Sequence, residues 1–248
     1  MFDDAASTWW SHTASKAARG LHMIHAARAR YVVERLAPLL ARKPEARILD
    51  LGCGGGLMAE GLARRFGRAS VTGVDMSAAA VDAARAHAAG DPALAGRLEY
   101  VAGSVAEAAA AGPFDAVACL EVIEHVDSGQ AAFVADLLDP AVLDPDRGEV
   151  VMSTLNRTYK SYAMAIAAAE MPVFGLLPRG THDWNLFVTP DELSQWLGDG
   201  GARVTDVSGI VPDEASLFPD PRPTQWEWRV DGEDVDVSYI LHARRGEA

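Results

Sequence analysis

Cysteine is scarce in this chain: Cys53 and Cys119 are the only two among 248 residues. Both fall in segments expected to be buried, so a disulfide framework is not indicated and a reducing compartment is expected. Positive charge is also short. The 22 Lys and Arg are outnumbered by 35 Asp and Glu, leaving a net charge of −13. That argues against nucleic acid as a partner, since general binding to it needs a basic footprint. No uninterrupted apolar run reaches the ~18 residues of a membrane-crossing helix. The opening MFDDAASTWW has neither the basic start nor the apolar stretch of an export signal, so a cytoplasmic location is expected. No internal repeat is present. What the chain does have is a 49% hydrophobic fraction and a length able to bury a full core as one domain.

Short apolar runs alternate with helical stretches, which points to an α/β fold with a mostly parallel sheet and helices on both faces. Five strands are expected at Arg47–Leu51, Ser70–Val74, Leu98–Val101, Ala116–Leu120 and Glu149–Ser153; Ala202–Ser208 and Val235–Ala243 would complete seven. Helices are expected at Leu57–Phe66, Ala78–Ala89, Val105–Ala111, Gln130–Leu138 and Asp191–Leu197. For the last, Thr189, Pro190 and Glu192 spell a capping box with proline at the first helical position. Ala14–Leu40 reads as an N-terminal helical extension (residues 1–45), and Tyr159–Leu177 as an apolar insertion after the fifth strand, within a cover spanning 157–188. Val211–Pro223, rich in Pro and acid, reads as a loop.

The most informative stretch is Ile48 to Gly56, ILDLGCGGG, followed by VTGVD ending at Asp75. A strand that empties into a glycine turn and a helix brings backbone close to a ligand, and an acid at the tip of the next strand can grip a ribose diol. Gly52, Gly54, Gly55 and Gly56 contain G-x-G but not G-x-G-x-x-G, because Leu57 interrupts it; a dinucleotide would need its pyrophosphate on the helix N-terminus. The pattern D-x-G-x-G-x-G instead resembles the first motif of class I S-adenosylmethionine (SAM) methyltransferases, a Rossmann-like fold whose glycines make room for the amino-acid end and sulfonium of the cofactor. A dinucleotide enzyme and an ordinary tight turn are the competing readings.

Ligands of an open parallel sheet lie outside the carboxyl ends of the strands. That places Gly52–Gly56, Asp75, Ser104–Val105 and Leu120–Glu124 around one cleft. Asp75 would accept from both ribose hydroxyls, or else cap a turn. Met76 would pack on adenine or in the core, Ser104 and Val105 would flank adenine, and Leu120 would present backbone to the methionine moiety. In EVIEHV, Glu121, Glu124 and His125 stand at i, i+3 and i+4, on one face if the turn is helical. Three readings stay open for them: ligands of Mg2+, His125 as a general base, or a hydrogen-bonded turn under the cofactor. Thr181, His182 and Asp183 are candidates to shape the acceptor side, with His182 the second choice of base. Arg157, Lys160 and Arg179 flank the apolar insertion, which is either an interfacial cover or a lid on its own core.

Further matches run in one order along nearly the whole chain: Trp9–Trp10, LHMI at Leu21–Ile24, LEVIEHV at Leu120–Val126, STLNRTYKS at Ser153–Ser161, PRGTHDW at Pro178–Trp184 and DVDVSYILHARR at Asp234–Arg245. With them the chain resembles the ubiquinone-biosynthesis O-methyltransferases (2-polyprenyl-6-hydroxyphenol methylase / 3-demethylubiquinol 3-O-methyltransferase). The resemblance implies methyl transfer from SAM to a phenol or catechol oxygen on a ring with an isoprenoid tail. By position it implies SAM contacts at Arg28, Gly52, Asp75 and Leu120, and a divalent ion at Glu121, Glu124 and His125. It also implies peripheral contact with membrane lipid through 159–177, on the inner face of the cell membrane, and association with other enzymes of quinone biosynthesis. Departures stand at His25 and Ala26, where the family reads Asn-Pro, and across Val211–Val230. Another phenolic acceptor, or a non-catalytic SAM- or lipid-binding protein, are the alternatives.

Overall fold

The computed structural model describes residues 10, 16–127, 129–164, 182–213 and 227–246. Readings that rest on Trp9, on 165–181 (Arg179 and Thr181 included) or on 214–226 lie outside the described residues. The chain opens with α1 (Lys16–Arg42), then alternates β1 (Arg47–Leu51), α2 (Leu57–Arg65), β2 (Ser70–Asp75), α3 (Ala78–Ala88), β3 (Leu98–Ala102), α4 (Val105–Ala111), β4 (Ala116–Leu120), α5 (Gln130–Leu137) and β5 (Glu149–Leu155). It closes with α6 (Pro190–Asp199), β6 (Arg203–Pro212), β7 (Trp228–Asp231) and β8 (Ser238–Arg244). The first five strands are parallel and β8, β6 and β7 are added antiparallel, each to its neighbour.

The strand order is β3-β2-β1-β4-β5-β8-β6-β7. It reverses between β1 and β4, and a crevice opens at such a switch point beyond the carboxyl ends. The central strands are buried along nearly their whole length, and mostly apolar, because helices cover both faces. One core cluster joins Leu36 and Leu39 of α1 to Leu62 and Val81; the other joins Val134, Leu137, Leu193 and Leu197 to Tyr239.

The sheet has eight strands, where seven were expected. The addition is β7, a short edge strand pairing Gly209–Pro212 with Trp228–Asp231. A proline- and acid-rich stretch hides it in the sequence, and its apolar Trp228 and Val230 lean on the cluster under α1. The capping box of α6 formed as expected: Thr189 Oγ1 accepts from the Glu192 amide (3.2 Å), and Glu192 Oε2 accepts from the Thr189 amide (2.9 Å).

Helix α1 lies antiparallel to β4 and β5, and its charges mark its position. Lys43 pairs with Asp115 (2.7 Å) and Arg42 with Glu149 (3.3 Å), both at the amino ends of those strands. Arg35 and the Tyr31 hydroxyl meet Asp206 at 2.8 and 2.6 Å, and Arg28 reaches Glu121, just past β4, at 2.9 Å. The pairs of Arg42, Lys43 and Arg35, whose cationic ends are exposed, contribute about 1 kcal/mol or less each, and the buried Arg28–Glu121 pair must first offset its desolvation. The buried row Tyr31, Val32, Leu36, Leu39 and Leu40, at about 1.5–3 kcal/mol per large side chain, decides the docking; the charges set the register.

Two basic residues beside the insertion are already engaged. Lys160 pairs with Asp234 (2.9 Å) and Asp236 (3.2 Å), and Arg157 with Glu192 and the Phe187 carbonyl. They tie the entry of the insertion to the sheet, and neither projects as a lone cation. Among the described residues no helix is long and apolar enough to cross a membrane.

Candidate active site

The turn after β1 is shaped by glycines. Gly52, Gly54 and Gly56 have φ of 78°, 51° and 89°, a left-handed backbone that disfavours any side chain. The Gly52 amide donates to the Val74 carbonyl (2.7 Å), and a Cβ at Gly52 would stand 2.2 Å from Val122 Cγ2. Gly52→Ala is therefore expected to cost about 2–5 kcal/mol from backbone strain and overpacking and to weaken SAM binding. Denaturant melts and calorimetry measure both; an unperturbed variant would show the turn to be unconstrained.

Asp75 closes the turn from β2. Its Oδ2 accepts from the Gly54 amide (2.8 Å) and its Oδ1 from the Ser77 amide (2.8 Å). A carboxylate has about four acceptor sites, so this one is aimed by backbone and keeps lone pairs for a diol. Met76 beside it is 84% exposed, outside the core. Ser104 caps α4: its hydroxyl bonds Glu107 Oε2 at 2.9 Å and accepts from the Ala106 amide at 3.2 Å. Its side chain is thus committed to the helix start. Val105 and Leu120 are half-buried, the first packed on the cluster with Leu137 and the second on the one with Leu36.

Asp50 was missed by the sequence reading. It is buried within β1, its Oδ2 has no hydrogen-bond partner, and burial, aided by the charge of Asp75, pushes its pKa up to about 7. The signal that could have found it is an acid inside a run otherwise built for the interior.

Past β4 the chain kinks. Glu121 has φ 56°, a conformation that costs about 1–3 kcal/mol outside glycine and persists only where contacts impose it. Its amide donates to the Ser153 carbonyl (2.9 Å), its Oε1 accepts from the Ser153 hydroxyl (2.7 Å), and its Oε2 pairs with Arg28 (2.9 Å). The helical turn that follows is a tight one, Ile123–His125, with Glu121 outside it, so the expected shared helical face is not what gathers these residues. Glu124 is 2% exposed; its Oε2 accepts from Thr154 (2.9 Å) and its Oε1 has no partner. Burial first, and then the charge of Glu121, push its pKa up. His125 is held below the ordinary imidazole value by burial, with Glu121 opposing. Its ring lies 5.7 Å from that of His182, nearly parallel, and His182 meets Phe187 edge-on at 5.9 Å.

The fold thus brings Arg28, Glu121, Glu124, His125 and His182 together from α1, the β4 end and the stretch before α6. Buried Arg28 has an Nε without a partner, so its guanidinium has capacity beyond Glu121. Two carboxylates, one with an orphaned buried oxygen, and an imidazole fit a hard cation in donor chemistry. As placed, however, no three His, Cys, Asp or Glu among the described residues form a cation cage; Glu121 is turned to Arg28 and Glu124 to Thr154. A cavity of about 400 Å³ beside Arg85, Asp91 and Leu98 lies away from the strand tips and is lined by none of the site residues.

An open α/β sheet with this glycine turn and acid, at the switch point, defines a class I SAM-dependent methyltransferase. A family model described as a methyltransferase domain matches residues 48–141. Magnesium protoporphyrin IX methyltransferase from Synechocystis PCC 6803, solved with bound SAH, shares the fold at TM-score 0.69 and 20% identity, over 99% of this chain and 94% of its own. The ubiquinone biosynthesis O-methyltransferase of Alkalilimnicola ehrlichii is 39% identical over 100% of this chain and 90% of its own. That of Saccharophagus degradans is 35% identical over 98% and 93%. The chain belongs to the ubiquinone biosynthesis O-methyltransferase family and is a SAM-dependent O-methyltransferase.

Proposed function

We propose that the protein transfers the methyl group of SAM to a phenol or catechol hydroxyl of a polyprenylated ubiquinone precursor. The observation that carries this reading is the likeness, over nearly the full length, to relatives bearing that name. In this reading Asp75 holds the ribose diol, Gly52, Gly54 and Gly56 let the methionine end approach backbone, and Arg28 takes the cofactor carboxylate. Met76, Ser104 and Val105 border the adenine, and the Leu120 backbone faces the methionine moiety. The acceptor oxygen must stand about 3 Å from the methyl carbon, in line with sulfur. As the oxygen–methyl bond forms and the sulfur–methyl bond breaks, the hydroxyl proton passes to His125, which burial keeps neutral. The products are the methyl ether and S-adenosylhomocysteine. His182, stacked on His125, orders it. A divalent ion held by Glu121, Glu124 and His125 would supply Lewis-acid polarisation of the phenol oxygen.

In the same reading the whole chain is one domain, with 157–188 as the acceptor-side cover. Exposed Tyr159 and Tyr162, whose rings meet Trp184, and exposed Met164 at its start support a lipid-facing role, since amphipathic aromatics favour interfaces. The test compares a prenylated catechol with soluble catechols. The prenylated ring is expected to have a kcat/KM at least about tenfold higher, because each buried CH2 contributes ~0.8 kcal/mol. Equal rates would favour another phenolic acceptor. Tight SAM binding without turnover on any phenol would favour a non-catalytic protein.

A further inference from the structure

The ion-pair ladder of α1 has a geometric corollary. Arg42 and Lys43 sit at the amino ends of β5 and β4, Arg35 midway at Asp206, and Arg28 beyond the carboxyl end of β4 at Glu121. The helix rises 1.5 Å per residue, so its earlier turns pass beyond the strand tips. His25, one turn before Arg28, therefore lies about 4.5 Å further out along the axis, and i, i+3 residues share a helix face. The row His22–His25–Arg28 thus extends the site from its cofactor end outward.

His25 is half-buried, and among the described residues no hydrogen bond to its ring is present. A polar group taken partly out of water without a partner costs free energy that a ligand can recover. Burial, Arg28 and His22 hold its pKa down at about 4, so the ring is neutral at physiological pH. A neutral imidazole offers one donor and one acceptor. That suits a hydroxyl, which is also both, better than a carboxylate, which would call for a cation. The reacting hydroxyl already has His125; an uncommitted imidazole further out is matched to a second oxygen on the same ring.

We infer that His25 is a positioning residue for the acceptor: its imidazole hydrogen-bonds the ring oxygen next to the hydroxyl that is methylated, and selects catechol-type acceptors over single phenols. The inference rests on the proposed aromatic O-methylation. It predicts that the preference for two adjacent oxygens resides on α1, not on the residues that move the proton.

The experiment measures kcat and KM of wild type, His25→Ala and His25→Gln on a catechol and on the matching monophenol, with SAM affinity by calorimetry. His25→Ala is expected to raise catechol KM about 3–10-fold, the loss of one neutral hydrogen bond. Its kcat, its monophenol KM and its SAM affinity should stay within about twofold. His25→Gln, which keeps a donor and an acceptor, should recover most of the catechol KM. An equal rise on both phenols, or no rise on either, overturns the assignment, and so does weakened SAM binding. If wild type binds SAM yet methylates neither phenol, the aromatic O-methylation reading falls and His25 falls with it; wild-type turnover with an unmoved KM in the variant removes His25 alone.

Discussion

Asp75→Ala raises the dissociation constant for SAM about 5–150-fold in calorimetry, equivalent to about 1–3 kcal/mol for hydroxyls left without their charged acceptor. Two losses combine. The ribose diol loses the carboxylate, and the amides of Gly54 and Ser77, each 2.8 Å from it, lose the group that orients the glycine turn. Asp75→Asn separates the two, since an amide oxygen keeps one acceptor but presents N–H to the other side. It should fall between wild type and alanine. Unchanged affinity in both variants would remove Asp75 from the cofactor site.

His125→Ala lowers kcat about 10²–10⁴-fold, the usual contribution of a positioned general base, with SAM affinity intact. The sign of the pH dependence follows from the buried ring. Its pKa lies below the ordinary 6.5 because burial disfavours the charged form more than Glu121 favours it, so the acid limb of kcat/KM for wild type falls below pH 6.5 and vanishes in the variant. A chelator arm discriminates the competing role. If chelation abolishes wild-type turnover and Mg2+ restores it, Glu121, Glu124 and His125 act as ligands and the base assignment falls; full turnover in chelator leaves the proton with His125.

The difference between what could be read and what could not is visible residue by residue. Gly52–Gly56 and Asp75 were legible because a left-handed turn admits little but glycine and because a strand-tip acid lies at a set distance from it. The capping box at Thr189–Glu192 was legible for the same local reason. The strand β7 was not: its four residues gain their stability from β6 and from α1, neither of which is near in sequence. Glu121, Glu124 and His125 were picked out, but on the premise of a regular helical face. In the fold Glu121 is held in a left-handed conformation by Ser153 and Arg28, partners 32 and 93 residues away. Asp50 was passed over because an acid in an apolar run signals only burial, and the packed fold alone shows that its Oδ2 is left without a partner.

The amino-acid sequence by itself determined the alternation of strands and helices, the glycine turn and the family, since each rests on short-range periodicity, on backbone freedom at glycine or on motifs in order. Only the tertiary structure decided that Arg28 would face Glu121, that His125 would stack on His182, and that α1 would carry His25 past the strand tips. Those contacts depend on how distant segments pack, and on which charges burial leaves to find one another.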